Sequence, residues 1–288
     1  MSTGAVFNPA DLINSTAYPL GQSHPQLLHK IENIRAELKN DGCAVIPNFL
    51  SAAGLATMRA EAEARRPRAF FSDAKKTNVY FSEDDPALPK THPRRIFLDR
   101  TNGFITSDCF EDETASRTLY NWPALKDFVR ACLGKSELFI YDDPVSNMIV
   151  NVLTPGSQFN WHFDTNEFTI TMLLKSAESG GRFEYAPMLR HEKDECYEDV
   201  RAVISGDRTR VKHLDLKPGD LQLFLGRFSL HRVTPNTGHT DRLMLIMSFA
   251  EKPGMIGSLE RTQALYGKVK EAHVQSHAHR VRADHLMD

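Results

Sequence analysis

Cysteine is scarce in this chain. Cys43, Cys109, Cys132 and Cys196 stand far apart, with no Cys-x-x-Cys pair and no secretory leader. That spacing argues against a disulfide scaffold or a thiolate metal site, and free or buried thiols in a reducing cytosol are expected. No apolar run approaches membrane-spanning length, so no membrane partner is expected and the chain is placed in solution in the cytoplasm. An excess of charge of one sign is missing too. With 35 Lys and Arg against 37 Asp and Glu, the net charge of -2 gives no field for nucleic acid and no polyanionic tail for a basic partner.

What is present suffices for one core. At 288 residues and 41% hydrophobic content, the chain is expected to fold as one domain over 1–288. Residues 1–136 read as a helical buttress and lid region, 137–253 as a β-barrel core, and 254–288 as a C-terminal helix and tail. Apolar residues recur at helical spacing from Pro25 to about Asn40, from Ser51 through Arg66, and from Thr114 to Leu133 with a break near Pro123. Pro67 to Asp112 is irregular and aromatic, which suits a loop covering a pocket. Short strands follow at 138–141, 146–153, 168–174, 180–185, 211–216, 221–225 and 241–249, separated by turns such as Thr154-Pro155-Gly156-Ser157. This is mainly β with flanking helices: a double-stranded β-helix, the jelly-roll or cupin-like architecture. Residues 191–204 read as a charged helical insertion. His273, His277, His279 and His285 read as a solvated tail.

The chemistry concentrates in Phe159-Asn160-Trp161-His162-Phe163-Asp164. On an extended strand, a period of two places His162 and Asp164 on one face. His231 is the candidate third ligand, because two imidazoles and one carboxylate form the facial triad that holds Fe(II) with positions left open. Eleven residues later, Arg242 lies in an apolar strand and offers a fork for a carboxylate.

His-x-Asp, a distal His and an Arg about ten residues beyond it, in that order, resemble the iron(II)- and 2-oxoglutarate-dependent oxygenases. Within that superfamily the chain is most similar to the bacterial group of free-amino-acid hydroxylases and radical halogenases. The likeness runs from about Asp142 to Pro253 and extends more loosely to His92-Pro93-Arg94-Arg95 and to residues 261–267. The resemblance implies Fe(II), 2-oxoglutarate and O2, with Arg242 on the distal carboxylate of 2-oxoglutarate and Thr240 or Ser248 as a supporting hydroxyl. Asn151 is read either as a partner of co-substrate or substrate or as bonded to neighbouring backbone. Substrate candidates are Arg94, Arg95, Asn160, Trp161, Thr165 and Glu167, each with packing, strand pairing or a surface ion pair as its alternative. The halogenases of this group carry Gly or Ala where this sequence has Asp164, so the resemblance implies hydroxylation of a small molecule such as a free amino acid. Desaturation or ring closure uses the same chemistry, and a metal-binding sensor barrel is the reading from another class. The sequence leaves oligomeric state open, a homodimer included.

Overall fold

A computed structural model of the chain describes residues 6–73, 75–276 and 286–287. Its principal helices are α1 (Pro25–Asp41), α2 (Ala52–Arg65), α3 (Ala115–Tyr120), α4 (Pro123–Leu133), α5 (Tyr197–Ile204), α6 (Leu259–Tyr266) and α7 (Glu271–Ser276). The strands that build the two main sheets are β1 (Cys43–Ile46), β2 (Phe70–Phe71), β3 (Gly103–Ile105), β4 (Met148–Leu153), β5 (Phe159–His162), β6 (Thr169–Lys175), β7 (Phe183–Ala186), β8 (Lys212–Leu214), β9 (Leu221–Phe224), β10 (Leu230–Val233) and β11 (Arg242–Met247).

A seven-stranded sheet runs in the order β1-β9-β6-β11-β4-β3-β2 and a four-stranded sheet in the order β8-β7-β10-β5. Every pairing in them is antiparallel. The sheets enclose the pocket between them, as the jelly-roll reading requires.

Strand periodicity divides the large sheet into two chemistries. Val150 and Val152 of β4, Ile170, Met172 and Leu174 of β6, and Leu243 and Leu245 of β11 belong to the main core that the helices cover. Each such side chain contributes about 1.5–3 kcal/mol when fully buried. Alternate residues on the same strands, Ile149, Asn151, Thr169, Thr171, Arg242 and Met244, line the pocket.

Four expectations need correction. The irregular region before 112 is not structureless: β2 and β3 extend the large sheet, and Gly103 permits it because a Cβ there would lie 2.6 Å from the Phe71 ring. The sheet therefore begins well before 137. The C-terminal helix is split into α6 and α7, α6 ending at Gly267 with φ +68°. His273 is no tail residue: it is fully buried, with Nε2 3.1 Å from Asp143. His277, His279 and His285 lie outside the described residues. The insertion is helical only over α5.

Candidate metal centre and active site

β5 ends at His162, and β10, paired beside it, brings His231 directly opposite. The register then shifts, so that three steps on β5 match two on β10 and Val233 faces Phe159. This bulge overrides the strict period of two. It turns Phe159 to the pocket, its ring 3.7 Å from that of His162, and leaves Asn160 out of the pocket lining.

Both imidazoles are oriented from behind. His162 Nδ1 donates to the Asn160 carbonyl at 2.7 Å and His231 Nδ1 to the Ser229 carbonyl at 3.0 Å. Each Nε2 is thereby left as the lone-pair nitrogen, the tautomer a metal ligand needs. Asp164 follows β5, its amide donating to the Gly226 carbonyl at 3.0 Å. Thr169 Oγ1 donates to Asp164 Oδ2 at 2.7 Å, while Oδ1 lies 3.4 Å from His231 Nε2. Ligand bonds of about 2.1 Å at right angles put cis donors roughly 3 Å apart, so this spacing suits one ion. Gly226 makes room: a Cβ there would lie 2.0 Å from Asp164 Oδ2.

The electrostatics fit a cation as well. Burial first, then electrostatic coupling to the adjacent His231, holds the His162 imidazole well below its ordinary range, so it is neutral. Burial alone would raise the Asp164 carboxyl, but the two histidines and the Thr169 hydroxyl outweigh it and keep the group ionised. Neutral nitrogen, anionic oxygen and nitrogen on one face make a hard, divalent-metal donor set. A second grouping, His191, Asp194 and Cys196, is largely exposed and lacks such support.

Arg242 occupies the opposite part of the pocket, 4% exposed. Among the described residues no carboxylate pairs with it, and burial depresses its pKa to about 10. Gly181 lies against its stem, where a Cβ would meet Cδ at 3.1 Å. Asn151 Oδ1 is likewise buried without a partner in this pocket, so neighbouring backbone does not satisfy it. A buried guanidinium and an orphaned amide oxygen are costly unless a polar ligand meets them. A dicarboxylate reaching from the metal fits both.

The other candidates separate clearly. Thr165 lines the pocket, and so does Ser248, just past the end of β11 remote from Arg242. A separation of six residues is roughly 20 Å along a strand, so Ser248 cannot share a carboxylate with Arg242. Thr240 is outside the lining, its carbonyl accepting from Asn236. Trp161 is buried on the other face, under Arg232 at 4.7 Å. Glu167 pairs with Lys135 at 2.7 Å. Arg94 and Arg95 face Asp85 and Asp84 as ion pairs, and neither lines the pocket.

Sequence reasoning missed the rest of the substrate end. Phe81, with φ 54°, sets its ring edge-on to His162 at 6.1 Å. From α6 come Arg261, Thr262, Leu265 and Tyr266. Asp143 holds that segment down, accepting from the Val145 and Ser146 amides through Oδ1 and from Gly257 and His273 through Oδ2. For the α6 residues the one signal is the looser resemblance over 261–267, and for Phe81 it is the aromatic loop expected to cover a pocket.

Known structures share this fold. SnoN, a non-heme alpha ketoglutarate dependent epimerase from nogalamycin biosynthesis, superposes with a TM-score of 0.54 at 16% identity, over 77% of this chain and 82% of its own. AviO1 from Streptomyces viridochromogenes gives 0.53 at 15%, over 77% and 95%. A 2OG-Fe(II) oxygenase family protein from Burkholderia pseudomallei gives 0.50 at 15%, over 77% and 91%. No curated protein sequence matches significantly. The family model described as Halogenase D matches residues 28–266, most of the chain, and the protein therefore belongs to the Halogenase D family.

Proposed function

We propose that this protein is an Fe(II)- and 2-oxoglutarate-dependent dioxygenase that hydroxylates an unactivated C-H bond of a small polar metabolite, a free amino acid or a derivative of one. The observation that carries this reading is the carboxylate at the third donor position. Asp164 is ionised, hydrogen-bonded by Thr169 and seated against Gly226, so the site is built around it. In the halogenating relatives that the sequence resembles, this side chain is absent and halide takes its place. A family named for halogenation thus contains here a chain with the hydroxylase ligand set.

His162, Asp164 and His231 would hold the iron, and Arg242 with Asn151 would receive the distal end of 2-oxoglutarate. Bound together with dioxygen, these groups supply the oxidising power that turns C-H into C-OH, with succinate and carbon dioxide released. The chain's own residues do the positioning. Carbonyls of Asn160 and Ser229 fix both imidazole tautomers, and Thr169 fixes the carboxylate rotamer. Phe81, Phe104, Phe159 and Leu265 make an apolar wall that keeps water from the reacting C-H bond.

The test uses purified protein with iron, 2-oxoglutarate and oxygen, challenged with free amino acids and small metabolites. Succinate release coupled to a product heavier by one oxygen is the expected result. Chlorinated product in the presence of chloride, without hydroxylation, would overturn the assignment.

A further inference from the structure

The third metal ligand sits where the sheet no longer fixes the chain. β5 ends at His162, so Asp164 lies past the last ladder pairing, and its amide is tied to the facing loop through the Gly226 carbonyl at 3.0 Å. That loop, residues 226–228, also sets the room for the carboxylate, because Gly226 lies against Asp164 Oδ2. The placing of Asp164 therefore depends on how firmly residues 163–165 and 226–228 are held together. Arg227 supplies one bond, Nη1 donating to the Thr165 carbonyl at 2.9 Å. Arg190 supplies the larger connection.

The Arg190 side chain is wholly buried behind both segments and grips each of them. Its guanidinium lies 3.9 Å from the ring centroid of Phe163, the residue between ligands His162 and Asp164. Its Nε donates to the Arg227 carbonyl at 2.6 Å, and its amide donates to the Phe228 carbonyl at 3.2 Å. A charge so placed needs a counter-charge, and Glu195 provides it at 2.8 Å from Nη1. A buried ion pair commonly stabilises no more than apolar residues of the same volume. What this one adds is a planar, charged fork that fixes one segment against another.

The same pair receives a third segment. Both main-chain groups of Met287 are held: its amide donates to Glu195 Oε1 at 2.6 Å, and its carbonyl accepts from Arg190 Nη1 at 3.3 Å. Leu286 beside it is buried, and the Met287 side chain packs on the apolar cluster that contains Trp161 and Phe163. Residues 286–287 thus dock on a guanidinium that also lies on the metal strand.

We propose that Arg190 is a positioning residue for the iron site, holding Asp164 in place through Phe163 and the 226–228 loop, and that docking of residues 286–287 on the Arg190–Glu195 pair is coupled to metal binding. This rests on the oxygenase reading above, which puts iron at His162, Asp164 and His231. Arg190, Glu195 and Met287 do not line the pocket, so they act through the ligand rather than on the metal or substrate. Coupling between two sites is reciprocal. The factor by which docking tightens iron is the factor by which iron tightens docking.

The test reads metal affinity and main-chain hydrogen exchange rather than turnover. Wild-type protein is titrated anaerobically with Fe(II) and then with 2-oxoglutarate. Failure of the wild type to bind iron would sink the oxygenase reading and this proposal with it. Where iron binds, Arg190→Met should weaken it by roughly 10–100-fold, the range for groups that orient metal ligands, and leave 2-oxoglutarate affinity of the iron-saturated protein within about threefold. Arg190→Lys should recover part of the loss, because an ammonium keeps the contact with Phe163 but lacks the fork. Met287→Pro deletes the amide that bonds to Glu195, leaves Arg190 in place and should weaken iron by roughly 3–10-fold. It serves as the second variant should Arg190→Met fail to fold. In the wild type, exchange of the Met287 amide, followed by mass spectrometry, should slow on addition of iron by the factor that the docked segment adds to iron affinity. Iron affinity unchanged in both Arg190→Met and Met287→Pro, or Met287 exchange that iron leaves unaltered, would overturn the proposal with the oxygenase reading intact.

Discussion

The two ends of the pocket are built differently. The metal and Arg242 end is carried on strands: His162 and His231 sit on paired β5 and β10, and Arg242 on β11 between β4 and β6. Backbone ladders on both sides fix these side chains. The substrate end is carried by a loop with Phe81 in a left-handed conformation, by α6, and by the buried Asp143 that ties α6 to the turn before β4. On the proposed function, the shared chemistry would rest on rigid sheet and substrate selection on segments that can vary without disturbing it.

The largest effect is expected at the strand end. Asp164→Gly removes the one anionic ligand, and iron affinity and hydroxylation should fall by more than about 100-fold, because even groups outside the ligand shell are worth 10–100-fold. Chlorination is not expected to replace it, since halide capture also needs an anion pocket and a repositioned substrate. Mass spectrometry of products made with chloride present checks both. Near wild-type hydroxylation would remove Asp164 from the ligand set.

Next is Arg242→Leu. Loss of a charge-assisted contact of about 1.5–3 kcal/mol should weaken 2-oxoglutarate by roughly 10–150-fold and leave iron binding intact. The same substitution should stabilise the ligand-free protein, because it removes a buried guanidinium that no carboxylate among the described residues pairs with. A gain of about 1 kcal/mol would raise Tm by roughly 2–4 °C. Calorimetry and a thermal melt should therefore move in opposite directions.

A smaller effect belongs to the other end. Asp143→Asn keeps one acceptor oxygen and loses the partner of His273 and Gly257. A cost of about 1–3 kcal/mol is expected, felt as weaker substrate binding with iron and 2-oxoglutarate affinities unchanged. Equal damage at both ends would show that the two are not independent.

How much of this was legible in the sequence follows from the same division. His162, Asp164, His231 and Arg242 were readable as a set because their residue types, order and spacing match a known pattern, and the shared pocket face of Ile149 and Asn151 on β4 follows from the period of two. The bulge that hides Asn160 was not readable, because one inserted residue reverses facing without altering composition. Arg94 and Arg95 drew attention as an adjacent pair, yet Asp84 and Asp85 in the same loop neutralise them. Arg261 lines the pocket while Asp143, far away in the chain, holds down the segment that carries it, and no local pattern marks such convergence. Gly226 looks like any loop glycine until Asp164 is seen against it.

The smallest expected effect is a pH dependence. Burial first, then coupling to the adjacent His231, holds His162 below its ordinary value of 6.5. Below that value the unfolded chain takes up a proton that the native site refuses, so this contribution is full above about pH 6.5 and is lost as pH falls. Asp164, also depressed, acts only in a lower window, below its ordinary 3.8. Melts of metal-free protein should show Tm declining from pH 7 to pH 5, and His162→Gln should flatten that decline.

The most direct test of the central claim is an anaerobic titration of the wild-type protein with Fe(II) and then 2-oxoglutarate, followed by calorimetry and visible absorption. The expected result is one iron and one 2-oxoglutarate per chain, a charge-transfer band that forms only with both, and loss of that band in Asp164→Gly. Iron bound at wild-type affinity by Asp164→Gly, or 2-oxoglutarate bound equally well without iron and without Arg242, would contradict it.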